Sequence, residues 1–143
     1  MEFAGRTALV TGGSRGIGRA ICLALAAEGA AVAVNYRVDA AAADEVCRLI
    51  ADRGGQAIAV AGDVSQADAV AAMLARTEAE LGPLSLLVCN AGIGRLEGAE
   101  PLSLENWRHV MAVNAEGVFL PVMAAREGRA ARGDGRNVRT ASI

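Results

Sequence analysis

Lysine is absent from this chain, and all fourteen of its cationic side chains are arginine. Aromatic residues are scarce, at 3% of 143 residues, with Tyr36 and Trp107 each the only one of its kind. Without a Lys-Ser or Lys-Thr pair, no glycine-rich stretch here qualifies as a nucleotide-triphosphate P-loop. His109 is the single histidine, so a catalytic histidine or a histidine-based zinc site has little support. It reads as a helix-surface residue. Trp107 reads as core or pocket wall. Cys22, Cys47 and Cys89 are odd in number, far apart and each inside an apolar segment, which suits neither metal-ligand pairs nor a disulfide framework. They read as reduced core residues. The net charge of −2 gives no reason to expect nucleic acid. No apolar run approaches the ~18 residues of a membrane span, and the opening "MEFAGR" lacks the cationic start of a secretory signal. A cytoplasmic location is the expectation.

What the chain does have is regular alternation. Thr7–Val10 is a short apolar run, and apolar residues at Ile17, Ile21, Leu25 and Ala26 then recur at helical spacing up to Gly29. Ala31–Val34 reads as a second strand, Ala40–Arg53 as a second helix and Gln56–Ala61 as a third strand. Ser65 with Asp68 resembles a capping box opening a helix that runs to Leu81. Leu84–Cys89 reads as a fourth strand, apolar but for Ser85, the pattern of a strand covered on both faces. Ser103 caps a helical region reaching Arg132, and Asn137–Thr140 is a weak fifth strand. With no linker or low-complexity block, residues 1–143 read as one α/β domain built on a doubly wound parallel sheet.

"VTGGSRGIG", Val10 to Gly18, lies between the first strand and the first helix, with four glycines in seven residues from Gly12 to Gly18. Glycine lets the backbone approach a pyrophosphate closely. The helix start beyond it offers unpaired N–H groups and a partial positive charge. Right-handed crossovers put this loop at the carboxyl edge of the sheet, where such sheets bind ligands. The context favours a dinucleotide site.

These residues resemble the short-chain dehydrogenase/reductases, and 3-oxoacyl-[acyl-carrier-protein] reductases and glucose 1-dehydrogenases among them. "TGGSRGIG" is similar to the family's cofactor loop, "GDVS" at Gly62–Ser65 to its acidic turn, and "CNAGIG" at Cys89–Gly94 to its Asn-Ala-Gly motif. "VNAEGVF" at Val113–Phe119 and "TASI" at Thr140–Ile143 resemble the segments carrying the family's catalytic Asn and Ser. The resemblance implies a Rossmann sheet of order 3-2-1-4-5 that stops before the family's last two strands. It implies that Thr11, Gly12, Ser14, Arg15, Gly16, Ile17 and Gly18 hold the pyrophosphate and adjoining ribose. Asp63 and Val64 would flank the adenine, while Asn90, Ala91 and Gly92 would line the cofactor near its ribose. Read from the residues alone, Asp63 also fits a turn cap before the third helix, and Asn90 a strand-end turn former.

The end of the second strand decides cofactor preference. An NAD-preferring site places a carboxylate there for the ribose 2′-OH, but this chain has Asn35, Tyr36 and Arg37. Arg37, with Arg15 in the loop, suits a 2′-phosphate through charge-assisted hydrogen bonds. Asp39 dissents, yet falls beyond the strand. NADP(H) is the expected cofactor, with NAD(H) the alternative.

The resemblance also implies a Tyr general acid/base with a Lys four residues on, a Ser on the reacting oxygen and a helix Asn holding a relay water. Asn114 and Ser142 match the last two. The Tyr and Lys would lie beyond Ser142, so these 143 residues are expected to act as a cofactor-binding portion, inactive alone. A non-catalytic NAD(P)-binding module or the product of a truncated gene is the alternative. A small carbonyl or alcohol substrate and homo-oligomers are what the resemblance implies for a full-length protein. Asn137 and Arg139 interrupt the fifth strand's apolar pattern, and Glu127, Gly128 and Arg129 that of the helix before it. Val118, Val122 and Met123 are expected to be partly bare.

Overall fold

The computed structural model describes residues 1–94 and 98–140. Five strands, β1 (Thr7–Val10), β2 (Ala31–Tyr36), β3 (Ala57–Ala61), β4 (Leu84–Cys89) and β5 (Arg136–Arg139), form one sheet in the order β3-β2-β1-β4-β5. Every pairing is parallel. The helices between them are α1 (Gly16–Ala27), α2 (Ala40–Asp52), α3 (Ala67–Leu81), α4 (Leu104–Met111) and α5 (Gly117–Arg132).

Side chains alternate across a strand, so each strand feeds two cores. Leu9, Ala33, Val60 and Leu87 point to one face, where Val70, Met73 and Leu74 of α3 and Ala125 of α5 cover them. Ala8, Val10, Val32, Val34, Leu86 and Val88 point to the other, against Cys22 of α1 and Ala43, Val46 and Ile50 of α2. Both faces are therefore dry, which explains the near-continuous apolar runs of β1, β2 and β4. Each fully buried Leu or Val side chain contributes about 1.5–3 kcal/mol.

All three thiols are free, with Cys22 and Cys89 buried and Cys47 half-buried. Burial pushes Cys22 up to about 12, and Cys47 and Cys89 each up to about 11. These are packing residues.

Several sequence expectations shift. β2 runs on to Tyr36, so Asn35 and Tyr36 belong to the strand itself. Helix α3 starts at Ala67 with no side-chain cap, because Ser65 bonds back to Asp63 instead. The capping-box reading is corrected accordingly. Ser103 does cap α4, its Oγ accepting from the Asn106 amide at 3.1 Å. The helical region that follows is interrupted by a π-helical turn at Ala112–Glu116. Trp107 is 62% exposed rather than core, since Asn106 occupies the inward position of α4.

The polar tail has its own physical account. Arg129 is buried and spends its guanidinium on backbone carbonyls, with Nε donating to Ala125 O and Nη1 to Arg136 O at 3.2 Å each. Arg132 Nη2 donates to Leu84 O at 2.6 Å. Arginine donors of α5 thus tie that helix to β5 through Arg136 and to β4 through Leu84 where apolar packing is thin, and all four β5 residues are exposed. Val118 and Val122 pack half-buried against the α3–α5 core, whereas Met123 and Phe119 are open to solvent.

Candidate cofactor-binding site

At the carboxyl ends of β1, β2 and β4 the chain encloses a crevice of about 630 Å³. Its wall includes Gly12, Ser14, Arg15, Gly16 and Ile17 of the first turn. The glycines here are sterically required. Gly12 has φ +62°, and a Cβ on it would stand 2.9 Å from Ala91 Cα. At Gly18 a Cβ would overlap the Gly12 carbonyl oxygen and sit 2.6 Å from Asn90 Nδ2. The loop and α1 are packed so tightly that any side chain at these points would push them apart. α1 begins at Gly16, its N-cap Arg15 makes no side-chain cap, and its first turn holds no acidic residue. Its first amides are therefore free to meet an anion in the crevice, and the donor set fits a pyrophosphate.

Three side chains build this loop from behind, Asn35 and Thr11 buried and Asn90 half-buried. Asn35, only 2% exposed, accepts from the Gly12 amide through Oδ1 at 3.1 Å and donates from Nδ2 to Val60 O and Gly62 O at 3.1 Å each. It ties β2 to the glycine turn and to the turn after β3. Thr11 Oγ1 accepts from the amides of Asn90 and Ala91 at 3.0 and 3.1 Å. Asn90 Nδ2 donates to Gly12 O at 3.2 Å, while its Oδ1 accepts from Thr140 Oγ1, also at 3.2 Å. The Asn90–Gly92 segment is thus locked to the glycine loop, and Asn90 links it to the end of β5.

Beyond Asn35 the crevice carries charge. Asp63 Oδ1 accepts from the Ser65 amide and hydroxyl at 2.9 and 2.7 Å, so its side chain caps the turn while it and Val64 line the wall. Burial pushes the Asp63 carboxyl up, but the Ser65 hydrogen bonds and the charges of Arg37 and His109 outweigh it and hold it below its usual range. Arg37 lines the same region. Tyr36 instead packs against the α1–α2 core, away from the wall. Arg15 Nη2 stands 3.1 Å from Asp39 Oδ2, and Asp39 Oδ1 caps α2 by accepting from the Ala42 amide at 3.0 Å.

Asn114 lies inside the π-helical turn. Its Nδ2 donates to Ile93 O and its Oδ1 accepts from Ile93 N, both at 2.8 Å, joining the loop after β4 to the helix in a reciprocal pair. A wide turn of this kind displaces backbone carbonyls from the regular ladder, and such turns concentrate at functional sites. Ser142 lies outside the described residues.

Among the described residues, His109, Val113 and Asp39 were not legible as wall residues. His109 is half-buried and lines the crevice, together with Val113 one helical turn on. That spacing was the available signal. Asp39 precedes a run of alanines, the pattern of an N-cap. A second hollow of about 420 Å³, with Arg6 and Arg53 in its wall, opens at the opposite end of the sheet and shares no residue with the crevice.

The sequence profile of the short chain dehydrogenase family matches residues 6–143. The chain is 41% identical over 138 residues to the 3-oxoacyl-[acyl-carrier-protein] reductase of Synechocystis, covering 96% of this chain and 56% of that protein. It is 39% identical over 125 residues to glucose 1-dehydrogenase 2 of Bacillus subtilis, covering 87% and 48%. Among solved structures, a short chain dehydrogenase from Burkholderia cenocepacia in complex with NADP superposes with a TM-score of 0.87 at 39% identity, covering all of this chain and 58% of that one. The chain spans about half the length of the curated relatives it matches.

Proposed function

We propose, since this chain belongs to the short-chain dehydrogenase family, that it binds NADP(H) for hydride transfer between the nicotinamide and a carbonyl or secondary alcohol. The observation that carries the reading is the crevice itself. A glycine cradle and an uncapped helix start lie beside Arg15 and Arg37.

In this reading Thr11, Gly12, Ser14, Gly16, Ile17 and Gly18 hold the pyrophosphate and adjoining ribose, either directly or by shaping the loop. Arg15 and Arg37 grip the 2′-phosphate, with Asn35 and Tyr36 setting the strand end that presents Arg37. Asp63 and Val64 flank the adenine, and Asn90, Ala91 and Gly92 run along the ribose. NADP(H) held by these residues would supply or take up the hydride. Asn114 orients a water for proton relay, and Ser142 donates a hydrogen bond to the reacting oxygen. The chain's likeness to the 3-oxoacyl-[acyl-carrier-protein] reductase of Synechocystis favours 3-oxoacyl groups as one substrate class. A cytoplasmic location and assembly into homo-oligomers complete the proposal.

The 143-residue chain is not expected to reduce carbonyls by itself. It contains no lysine, and its one tyrosine, Tyr36, is packed partly against the α1–α2 core. General acid/base catalysis typically contributes ~10²–10⁴-fold. The same observation favours a second reading, a dinucleotide-binding module without catalysis.

Nicotinamide fluorescence during titration with the purified chain tests the binding reading. Saturable enhancement with NADPH, lost in Gly18→Ala, is expected. No saturable binding of either dinucleotide by the wild-type chain overturns it. Turnover of a 3-oxoacyl thioester by this chain, free of host reductases, overturns the inactivity proposal.

A further inference from the structure

The crevice wall contains an ion pair that works against the proposed cofactor. Arg15 is one of two arginines beside the adenosine end, and its guanidinium lies 3.1 Å from Asp39. Arg37 makes no hydrogen bond or ion pair among the described residues. Among the described residues two carboxylates line the wall. Asp63 is engaged by Ser65 and feels the charge of Arg37 without a direct ion pair, whereas Asp39 is in direct contact with Arg15.

The Asp39 carboxylate is also fixed. Its Oδ1 caps α2 through the Ala42 amide while its Oδ2 meets Arg15, so one side chain serves a helix start and a cation together. A carboxylate held by a cap loses little further freedom when it pairs, which favours its retention of Arg15.

We infer that Asp39 is a specificity-determining residue: it acts as an internal counter-ion that holds Arg15 and weakens the chain's preference for a 2′-phosphorylated adenosine. The inference rests on the cofactor reading above. A 2′-phosphate entering the crevice competes with Asp39 for Arg15. A plain 2′-hydroxyl does not. Arg37 makes no direct ion pair among the described residues, so the preference for the phosphate persists but is diminished.

Asp39→Asn tests this without disturbing the fold. Asparagine keeps the oxygen that caps α2 and removes only the charge. The probes are adenosine 2′,5′-bisphosphate and adenosine 5′-monophosphate, titrated by calorimetry at low and moderate salt. Both carry the adenosine end alone, so the result does not depend on nicotinamide placement or turnover. Asp39→Asn is expected to raise the affinity ratio of bisphosphate to monophosphate by about three- to tenfold, an effect that shrinks as salt screens the charges. In an Arg15→Ala background the same substitution is expected to change the ratio much less.

An unchanged or lowered ratio overturns the inference while leaving the cofactor reading intact. An equal rise in the Arg15→Ala background also overturns it, because Asp39 would then act by direct repulsion rather than through Arg15. If neither adenosine nucleotide binds the wild-type chain, the cofactor reading and the inference fall together. Asp39→Ser, which also caps helices, separates a helix effect from a charge effect. A ratio that rises with Asn but falls with Ser contradicts the account.

Discussion

Asn35 and Gly12 are joined by a hydrogen bond of 3.1 Å from the Gly12 amide to the Asn35 side-chain oxygen, and this bond sets the height of the glycine loop above the sheet. The same side chain donates to Val60 O and Gly62 O at 3.1 Å, so one buried amide registers three strand-end turns. Asn35→Ala is expected to lower stability by about 2–3 kcal/mol, because buried polar groups on the backbone lose their partners. It should weaken NADPH binding in parallel. Urea unfolding and fluorescence titration of the same variant check both.

Asn114 is held by two hydrogen bonds to Ile93, each 2.8 Å long but exposed. Replacement by alanine is expected to cost only about 1–2 kcal/mol. The clearer signature is local: amide exchange at Ile93 should accelerate while exchange in β1 and β4 stays slow. Hydrogen-exchange mass spectrometry reads this directly.

Much of this architecture was visible in the amino-acid pattern, and the reasons differ between its parts. β4 was legible because a strand buried on both faces has six consecutive buried residues, with Ser85 the one polar side chain among them. The glycine loop was legible because close approach at Gly12 and Gly18 admits no other residue. The π-helical turn at Asn114 was not, since the apolar spacing around it stays helical while the backbone widens. Trp107 was misplaced because the buried position of α4 goes to Asn106, a polar residue whose Nδ2 donates to Pro101 O at 2.9 Å. Ser65 was read as a cap for α3, but its hydroxyl is nearer to Asp63 in a local turn that competes with helix capping.

The buried thiols make a pH prediction. Burial raises the folded-state pKa of Cys22 and Cys89 to about 12 and 11, above the ~8.5 of an unfolded thiol. Their contribution to stability is therefore intact below about pH 8.5 and is lost as pH rises toward 11–12, by about 1.4 kcal/mol per pH unit for each thiol. Unfolding midpoints should fall steeply above pH 9. Thiol labelling by a disulfide reagent at pH 7.5 should wait on unfolding for these two cysteines.

Self-association of the 143-residue chain is the expected behaviour at high concentration. Phe119 is 60% exposed on α5, with Trp107 and Met123 also open to solvent, and β5 forms the sheet edge among the described residues. Exposed apolar side chains and an exposed sheet edge each favour contact between copies. Arg136 and Arg139 on that edge restrain it. Light scattering over a concentration series should show rising mass, and Phe119→Lys should reduce it.

The central claim is that this crevice prefers a phosphorylated adenosine ribose, and the affinity of the purified chain for NADPH against NADH under identical salt tests it most directly. The account predicts tighter NADPH binding, and a shift toward NADH of roughly 1–3 kcal/mol on Arg37→Asp, the size of a lost charge-assisted hydrogen bond. Equal affinities, or tighter NADH binding by the wild-type chain, would contradict it.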